Sequence, residues 1–159
     1  DRGPFSTEGV TVWLSQLCEA VWYMHQRRVL HRDISTGNVF LSSSGDILLG
    51  DLGLSRQLPQ SVGRTKVGTQ VGTPPYMSPE LVTGQQYGTS SDVWAVGVVL
   101  FEMLALCRPF DGRNMMTIAK LISQGEPLES ARSALEKSGH PQELRALASS
   151  AGLLHPNSA

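Results

Sequence analysis

The chain has 159 residues, of which 40% are hydrophobic and 17% charged, and its formal net charge is −1. This length and composition are typical of one globular domain with a buried core, and they exclude a disordered chain. The near-zero charge excludes a general basic surface, so we expect no nucleic-acid partner and no anionic membrane partner.

The first predicted elements are a helix and a β-hairpin. Ser6 is a candidate N-cap, and Glu8 places a negative charge in the first turn of a helix. Apolar residues then recur at helical spacing and predict one apolar face, namely Val10, Trp13, Leu14, Leu17, Val21 and Met24. Two short apolar runs, 39–41 and 47–49, flank a turn-prone segment of serine, glycine and aspartate and predict a β-hairpin.

The second half of the chain is predicted to be a long loop followed by helices. Residues 51–80 are rich in Gly, Pro, Ser and Thr, and loops of this length inside a compact domain are usually functional. Helices are predicted from about residue 90 to 106, over 114–124 before Gly125, and over 141–151 before Gly152. The predicted fold is therefore mainly α with one small β-hairpin.

The cysteines and the apolar runs indicate the compartment. Cys18 and Cys107 lie in apolar, helix-like stretches and are predicted to be buried thiols in a reducing environment, rather than a disulfide or part of a metal site. No basic-then-apolar leader opens the chain, and the longest apolar run, 93–106, is interrupted by Glu102 and too short for a bilayer. We expect an intracellular, cytoplasmic protein.

Three oxygen-bearing side chains are predicted to converge at one end of the hairpin. Asn38 precedes its first strand and Asp51 follows its second, so antiparallel pairing returns both to the same end, and Asp33 lies on the loop that leads there. Such oxygens suit a hard cation such as Mg²⁺. Asn and Asp are also ordinary turn residues beside strands, and on geometry alone this alternative is favoured.

Five short motifs give these positions a chemical meaning. In chain order they are His31-Arg32-Asp33 with Asn38, Asp51-Leu52-Gly53, Gly72-Thr73, Ser78-Pro79-Glu80 and residues 91–97. In this order and spacing the chain resembles the eukaryotic protein kinases of the serine/threonine type, with Leu52 and Ser78 where that family usually has Phe and Ala. The sequences of residues 72–80 and 109–125 are most similar to those of the NIMA-related kinases.

The resemblance implies a protein-kinase-like C-lobe, which is a helical bundle with a small β-hairpin. Residues 1–159 would form a partial protein kinase domain, from the helix before the catalytic loop to just before the last helix. We expect the small N-lobe to be absent, because the chain has no glycine-rich nucleotide loop and no strand lysine, and to be supplied by the same polypeptide. The fragment alone is expected to be inactive.

The resemblance also implies ATP and Mg²⁺ as cofactors and a protein as substrate. Asp33 would accept the proton of the attacking substrate hydroxyl. Asn38 and Asp51 would hold the Mg²⁺ ions that bridge the ATP phosphates, and Phe40 would lie under the adenine ring. Thr73 would hydrogen-bond near Asp33, which favours serine or threonine substrates over tyrosine.

Other residues would support this chemistry. By the same resemblance, His31 and Leu52 would pack in a hydrophobic spine, and Asp92 would anchor the backbone of the catalytic loop from beneath. Glu80 would pair with an arginine that the family carries just beyond residue 159, so we expect the Glu80 carboxylate to lack its partner, which is costly in a buried place.

Arg32 implies control by phosphorylation. In kinases with Arg before the catalytic Asp, a phosphorylated residue of the long loop pairs with that arginine and orders the segment. Thr69 is the first candidate for this phosphate. Ser61 and Thr65 are weaker candidates, and for them a plain solvated hydroxyl is the favoured interpretation.

Ser35 departs from the family pattern. Serine/threonine kinases normally carry a lysine there, whose charge supports the γ-phosphate, and a serine cannot supply that charge. The sequence therefore leaves two hypotheses open. One is a slow but competent serine/threonine protein kinase, and the other is a pseudokinase that binds partners as a scaffold or regulatory module without phosphotransfer.

Overall fold

The computed structural model describes residues 5–57, 72–149 and 152–155. The helices are α1 (Thr7–Gln26), α2 (Pro79–Val82), α3 (Thr89–Ala105), α4 (Met115–Gln124), α5 (Glu129–Glu136) and α6 (Gln142–Leu147). The strands are β1 (Val29–Leu30), β2 (Val39–Leu41), β3 (Ile47–Leu49) and β4 (Arg56–Gln57), and 3₁₀ turns lie at Leu52–Leu54 and Pro74–Tyr76. The prediction of a mainly helical fold with a small hairpin is confirmed.

Helix α3 forms the centre of the core. Almost every residue from Trp94 to Leu104 is buried, as expected of a helix that is apolar on all sides. Gly97 allows the chain near residue 153 to approach closely, because a Cβ atom at Gly97 would lie only 2.7 Å from the Leu153 Cβ atom. Helix α1 begins at the predicted Ser6 cap and buries its predicted face in the same core, through Val10, Leu14, Leu17 and Val21.

The hairpin is fixed against α1. Strands β2 and β3 pair antiparallel with Phe40 opposite Leu48. At the turn, the indole Nε1 of Trp13 donates to the Gly45 carbonyl at 2.9 Å. Gln16 donates from its amide nitrogen to Asp46 and accepts from the backbone N–H of Ile47, both at 2.8 Å. One end of the ribbon is therefore held by the helix, and the other end faces the loop that carries Asp33.

A second strand pair brings two distant segments together. Strand β1 pairs antiparallel with β4, with Val29 opposite Gln57 and Leu30 opposite Arg56. The pair is absent from the sequence-based prediction because two-residue strands carry no periodicity. It returns the chain after Asp51 to the segment that enters His31, and so limits how far the Asp51 segment can move from Asp33.

The structure corrects several predictions. Helix α5 is absent from the sequence-based prediction, and α6 is shorter than the predicted 141–151, of which residues 150–151 lie outside the described ranges. Of residues 51–80, the described parts 51–57 and 72–80 contain β4, the 3₁₀ turns and the start of α2, whereas the loop predicted over 58–71 lies outside the described ranges. The prediction of two buried thiols is wrong, because Cys18 lies on the outer side of α1 and is exposed, while Cys107 is half-buried. Among the described helices, none has the length and apolar character needed to cross a membrane.

Candidate active site

A buried carboxylate anchors the backbone that leads into Asp33. Asp92 on α3 is fully buried and accepts hydrogen bonds from the backbone N–H of His31 at 3.1 Å and of Arg32 at 3.0 Å. The side chains of His25 and Tyr87 reach the same carboxylate at 2.8 and 2.6 Å. A buried charge is tolerated when donors surround it in this way. The resemblance implied the contact between Asp92 and the loop backbone, and that contact is present.

Sequence reasoning did not assign Tyr87 or His25 to this anchor. Burial and the charge of Asp92 raise the pKa of the Tyr87 hydroxyl, so this group stays a proton donor. His25 lies 67 residues from Asp92 in the sequence, at the far end of α1. No local pattern links positions so far apart, and only the packing of α1 against α3 brings them together.

The Asp33 carboxylate is oriented by donors on both of its oxygens. Oδ1 accepts from the backbone N–H of Thr73 at 2.9 Å and from the Thr73 hydroxyl at 2.8 Å. Oδ2 accepts from Nδ2 of Asn38 at 3.0 Å. An ionised carboxylate has about four lone-pair sites. Within the described part of the chain, these contacts leave the open lone pair of Asp33 on Oδ2.

Two residues next to the Asp33 side chain or backbone, Arg32 and Gly72, have positive φ angles. Arg32 has φ 74°, in the left-handed region that side chains rarely adopt. Gly72 has φ 115°, and a Cβ atom there would lie 3.1 Å from the Arg32 carbonyl oxygen and 3.9 Å from Oδ1 of Asp33. Glycine at position 72 therefore lets the segment that carries Thr73 lie directly against the loop that carries Asp33.

The open end of the hairpin connects Asn38 to Asp51. The backbone N–H of Gly50 donates to the Asn38 carbonyl at 2.9 Å, and Nε2 of His31 lies 3.0 Å from the Gly50 carbonyl. Asp51 comes next, with φ 58° and with Oδ1 accepting from the backbone N–H of Gly53 at 3.1 Å. The structure thus brings Asn38 into contact with Asp33. Asp51 directly follows Gly50, whose backbone N–H is hydrogen-bonded to Asn38.

These side chains offer oxygens of the type that Mg²⁺ binds. Nδ2 of Asn38 also donates to the Asp33 carbonyl at 2.8 Å, so the amide oxygen of Asn38 is the atom that can bind a cation. Asp51 is exposed, and its second carboxylate oxygen is not used by Gly53. Within the described ranges, no three His, Cys, Asp or Glu side chains cluster. A cation would therefore rest on an amide and a carboxylate and would need oxygens from its ligand, as Mg²⁺ bound to a nucleotide has.

Phe40 forms part of an exposed apolar surface. Phe40 is 53% exposed and lies opposite Leu48, which is 54% exposed, so the pair forms an apolar surface beside Asn38. A Cβ atom at Gly50 would lie 2.8 Å from the Phe40 ring, so glycine at position 50 leaves room for that ring.

Ser35 is buried, and its carbonyl accepts from the backbone N–H of Asn38 at 3.0 Å.

Glu80 has partners that the sequence analysis did not foresee. In place of the arginine that the family pairs with this position, two hydroxyls donate to its carboxylate: Oε1 accepts from Ser90 at 3.3 Å and from Ser91 in a short contact. Both serines lie in the first turn of α3. These hydroxyls connect α2 to α3 and lower the cost of placing the carboxylate there.

The predicted phosphorylation sites Thr69, Ser61 and Thr65 lie outside the described residues. Their proposed partner Arg32 lies with its guanidinium 5.7 Å from the centre of the Tyr87 ring. Nε of Arg32 is buried and has no hydrogen-bond partner within the described ranges. Arg32 therefore retains donor capacity beside Gly72 and Thr73.

Comparisons with known proteins show to which family the chain belongs. Residues 1–154 match the family model described as the protein kinase domain. The chain is 46% identical over 121 residues to serine/threonine-protein kinase Nek9 of Mus musculus, across 76% of this chain and 12% of that protein. It is 39% identical over 124 residues to Nek1 of Mus musculus (77% of this chain, 10% of that protein) and 42% identical over 120 residues to Nek3 of Oryza sativa subsp. japonica (76% and 20%).

The chain thus spans between a tenth and a fifth of the length of these relatives. The match to the domain model extends through every motif that the sequence analysis used, from the loop at Asp33 to the helix that carries Asp92. The resemblance to NIMA-related kinases is confirmed by relatives that carry the Nek name. Because the domain model covers almost the whole length, the chain belongs to the protein kinase family.

Proposed function

We propose that the protein containing this chain transfers the γ-phosphate of ATP to serine or threonine hydroxyls of a protein substrate. The observation that carries the proposal is the Asp33 carboxylate, which Thr73 and Asn38 hold from both oxygens, while the described residues leave a lone pair of Oδ2 open. A general base must reach the proton it accepts with a fixed, oriented oxygen. Relatives with this domain are named serine/threonine-protein kinases, which supports the same reaction class.

Asp33 accepts the proton of the substrate hydroxyl through Oδ2 as the substrate oxygen bonds to the γ-phosphorus. The bond from that phosphorus to the oxygen bridging to the β-phosphate breaks, and ADP leaves. Mg²⁺ supplies charge neutralisation on the phosphates. The residues suited to hold it are Asn38, through its amide oxygen, and Asp51, through its carboxylate. Phe40 offers an apolar face for the adenine ring.

Thr73 supports serine or threonine as the acceptor. Its hydroxyl and its backbone N–H both reach Oδ1 of Asp33, so the segment at 72–73 lies tightly against the general base. We infer that a short substrate side chain reaches Asp33 over this segment more readily than the longer tyrosine side chain.

Ser35 favours a second candidate function, a pseudokinase scaffold. The residue is buried and neutral, so it supplies no positive charge to a transferring phosphoryl group. Preorganised charge at such a position changes turnover by about 10²-fold or more. The oriented Asp33 favours the enzyme, and the missing charge implies that the enzyme is slow.

The experiment measures phosphate transfer from ATP and Mg²⁺ to a protein substrate by the full-length protein and its variants. Asp33→Asn is expected to lower turnover about 10²- to 10⁴-fold, since it removes the base. Ser35→Lys is expected to raise turnover. Glu129→Gln removes an exposed carboxylate on α5 and serves as the control with unchanged turnover. Transfer that is undetectable in both the wild type and Ser35→Lys would contradict the proposal and favour the scaffold.

A further inference from the structure

A second contact joins the two segments that meet at Asp33. Thr36 lies three residues after Asp33, and Tyr76 lies three residues after Thr73. The Thr36 hydroxyl oxygen lies 2.7 Å from the Tyr76 hydroxyl oxygen and donates to Oε2 of Glu102 at 2.8 Å. The Tyr76 hydroxyl lies 2.9 Å from the same Oε2. The three oxygens therefore form a triangle whose corners come from the Asp33 loop, from the 72–77 segment and from α3.

The carboxylate corner of this triangle is held in place. Glu102 lies on the buried helix α3, and its other oxygen accepts from Nε of Arg108 at 3.1 Å. Tyr76 is buried, and its backbone N–H donates to the Thr73 carbonyl at 2.9 Å. Tyr76 is thus fixed both to α3 and to the residue that bonds to Asp33. Thr36 is the member that belongs to the loop of Asp33.

Two contacts between the same two segments restrict more than one contact does. The bonds between Asp33 and Thr73 hold the two segments together at one place. The contact between Thr36 and Tyr76 holds them together again, three residues further along both segments. Because misplacement of a catalytic group by about 1 Å costs about 10²-fold in rate, a small rotation of Asp33 matters.

We propose that Thr36 is a positioning residue, whose hydroxyl, through Tyr76 and Glu102, keeps Asp33 aligned with Thr73. The expected loss of turnover rests on the proposed function. The expected change in the orientation of the loop rests on the triangle alone. Thr36 is exposed, so its hydrogen bonds contribute little to the free energy of unfolding, and its effect falls on the orientation of the loop.

The first measurement is phosphate transfer by variants of the full-length protein. Thr36→Val keeps the shape of the side chain and removes the hydroxyl, and Thr36→Ser keeps the hydroxyl. We expect Thr36→Val to lower kcat about tenfold with an unchanged KM for ATP, and Thr36→Ser to restore kcat. Thr11→Val makes the same change at an exposed threonine of α1, whose hydroxyl donates to the Thr7 carbonyl at 2.8 Å, and is the control.

The second measurement is hydrogen exchange and does not depend on activity. The backbone N–H groups of Tyr76 and Met77 donate to Thr73 and Pro74. We expect these amides to exchange faster in Thr36→Val and at the wild-type rate in Thr36→Ser and Thr11→Val. Wild-type exchange or wild-type kcat in Thr36→Val would overturn the inference, as would failure of Thr36→Ser to restore either. Transfer that is undetectable in both the wild type and Ser35→Lys would contradict the proposed function, and hydrogen exchange alone would then test the contact of Thr36 with Tyr76.

Discussion

Beneath Asp33 the site consists of buried polar contacts, whereas at the open end of the hairpin its side chains are exposed and are held largely through the backbone. We call the first region the floor, formed by Asp92, His25, His31, Arg32 and Tyr87, and the second the open side, formed by Phe40, Gly50, Asp51 and Leu52. Apart from Nε of Arg32, which has no partner within the described residues, the floor is a network of hydrogen bonds centred on Asp92. The open side presents apolar and carboxylate groups to a ligand.

The difference predicts that stability depends on the floor and that ligand binding depends on the open side. On the floor, the other four residues share the Asp92 carboxylate as a hydrogen-bond partner, so removing Asp92 leaves polar groups buried and unpaired. On the open side, Phe40 and Leu52 are more than half exposed, and Asp51 is bonded to its own turn. Substitutions can therefore test whether the two regions are separable.

Replacement of Asp92 is expected to have the largest effect. Asp92→Ala leaves the N–H groups of His31 and Arg32 and the hydroxyl of Tyr87 without their acceptor. Because breaking a buried charged network leaves polar groups uncompensated, we expect the free energy of unfolding to fall by about 3–5 kcal/mol. Chemical denaturation measures this change. A loss below about 1 kcal/mol would mean that the floor does not act as a buried network.

Removal of the Tyr87 hydroxyl is expected to have a smaller effect. Tyr87→Phe removes one donor to Asp92 and leaves the others, so we expect a loss of about 1.5–3 kcal/mol, as for a hydrogen bond to a charged group. The variant also changes the pH dependence. Burial and Asp92 raise the pKa of Tyr87 in the folded state, so wild-type stability falls as the pH rises above the ordinary tyrosine pKa, where the unfolded chain ionises first.

Denaturation of Tyr87→Phe across alkaline pH measures that dependence. The loss of stability that ionisation of Tyr87 causes at alkaline pH should be absent from Tyr87→Phe. Equal slopes for the wild type and Tyr87→Phe would contradict the burial of this hydroxyl. Tyr23→Phe removes the hydroxyl of an exposed tyrosine on α1 and is the control.

Contacts within one segment of the site are predicted better from the sequence than contacts between separate helices. The contact between Asp33 and Asn38 and the register of the hairpin arise from short spacings and a turn-prone segment, which local patterns reveal. The contacts of Asp92 with His25, and of Glu80 with Ser90 and Ser91, depend on how separate helices pack. No periodicity encodes these contacts. Sequence patterns therefore predict the residues of the candidate site, but not all of the hydrogen bonds that hold them in place.

Gly97 tests the packing on which the floor depends. A Cβ atom there would lie 2.7 Å from the Leu153 Cβ atom and 3.1 Å from Leu154 Cδ2, so Gly97→Ala forces α3 and the 152–155 segment apart. Overpacking of this kind costs about 1–3 kcal/mol, which thermal or chemical denaturation detects. Gly45→Ala meets no atom within 4 Å but has φ 88°, so its cost is backbone strain alone and provides a comparison.

The same chemical change at two carboxylates separates the regions most directly. Asp51→Asn keeps an oxygen that can accept from Gly53, and asparagine tolerates the left-handed backbone at φ 58°, so we expect the free energy of unfolding to change by less than about 0.5 kcal/mol. Asp92→Asn places a buried amide donor against donors that already point at it, so it should cost about 1–3 kcal/mol.

Binding of Mg²⁺ and ATP to the full-length protein should respond in the opposite order. Asp51→Asn removes the charge of a proposed ligand and should weaken binding about tenfold or more, since a cation is attracted mainly by that charge. Asp92→Asn should bind normally once the fraction of folded protein is taken into account, because Asp92 is fully buried beneath the loop. Titration calorimetry on both variants measures this. A stable Asp51→Asn variant with unchanged Mg²⁺-ATP affinity would remove Asp51 from the proposed site and leave the open side without its ligand.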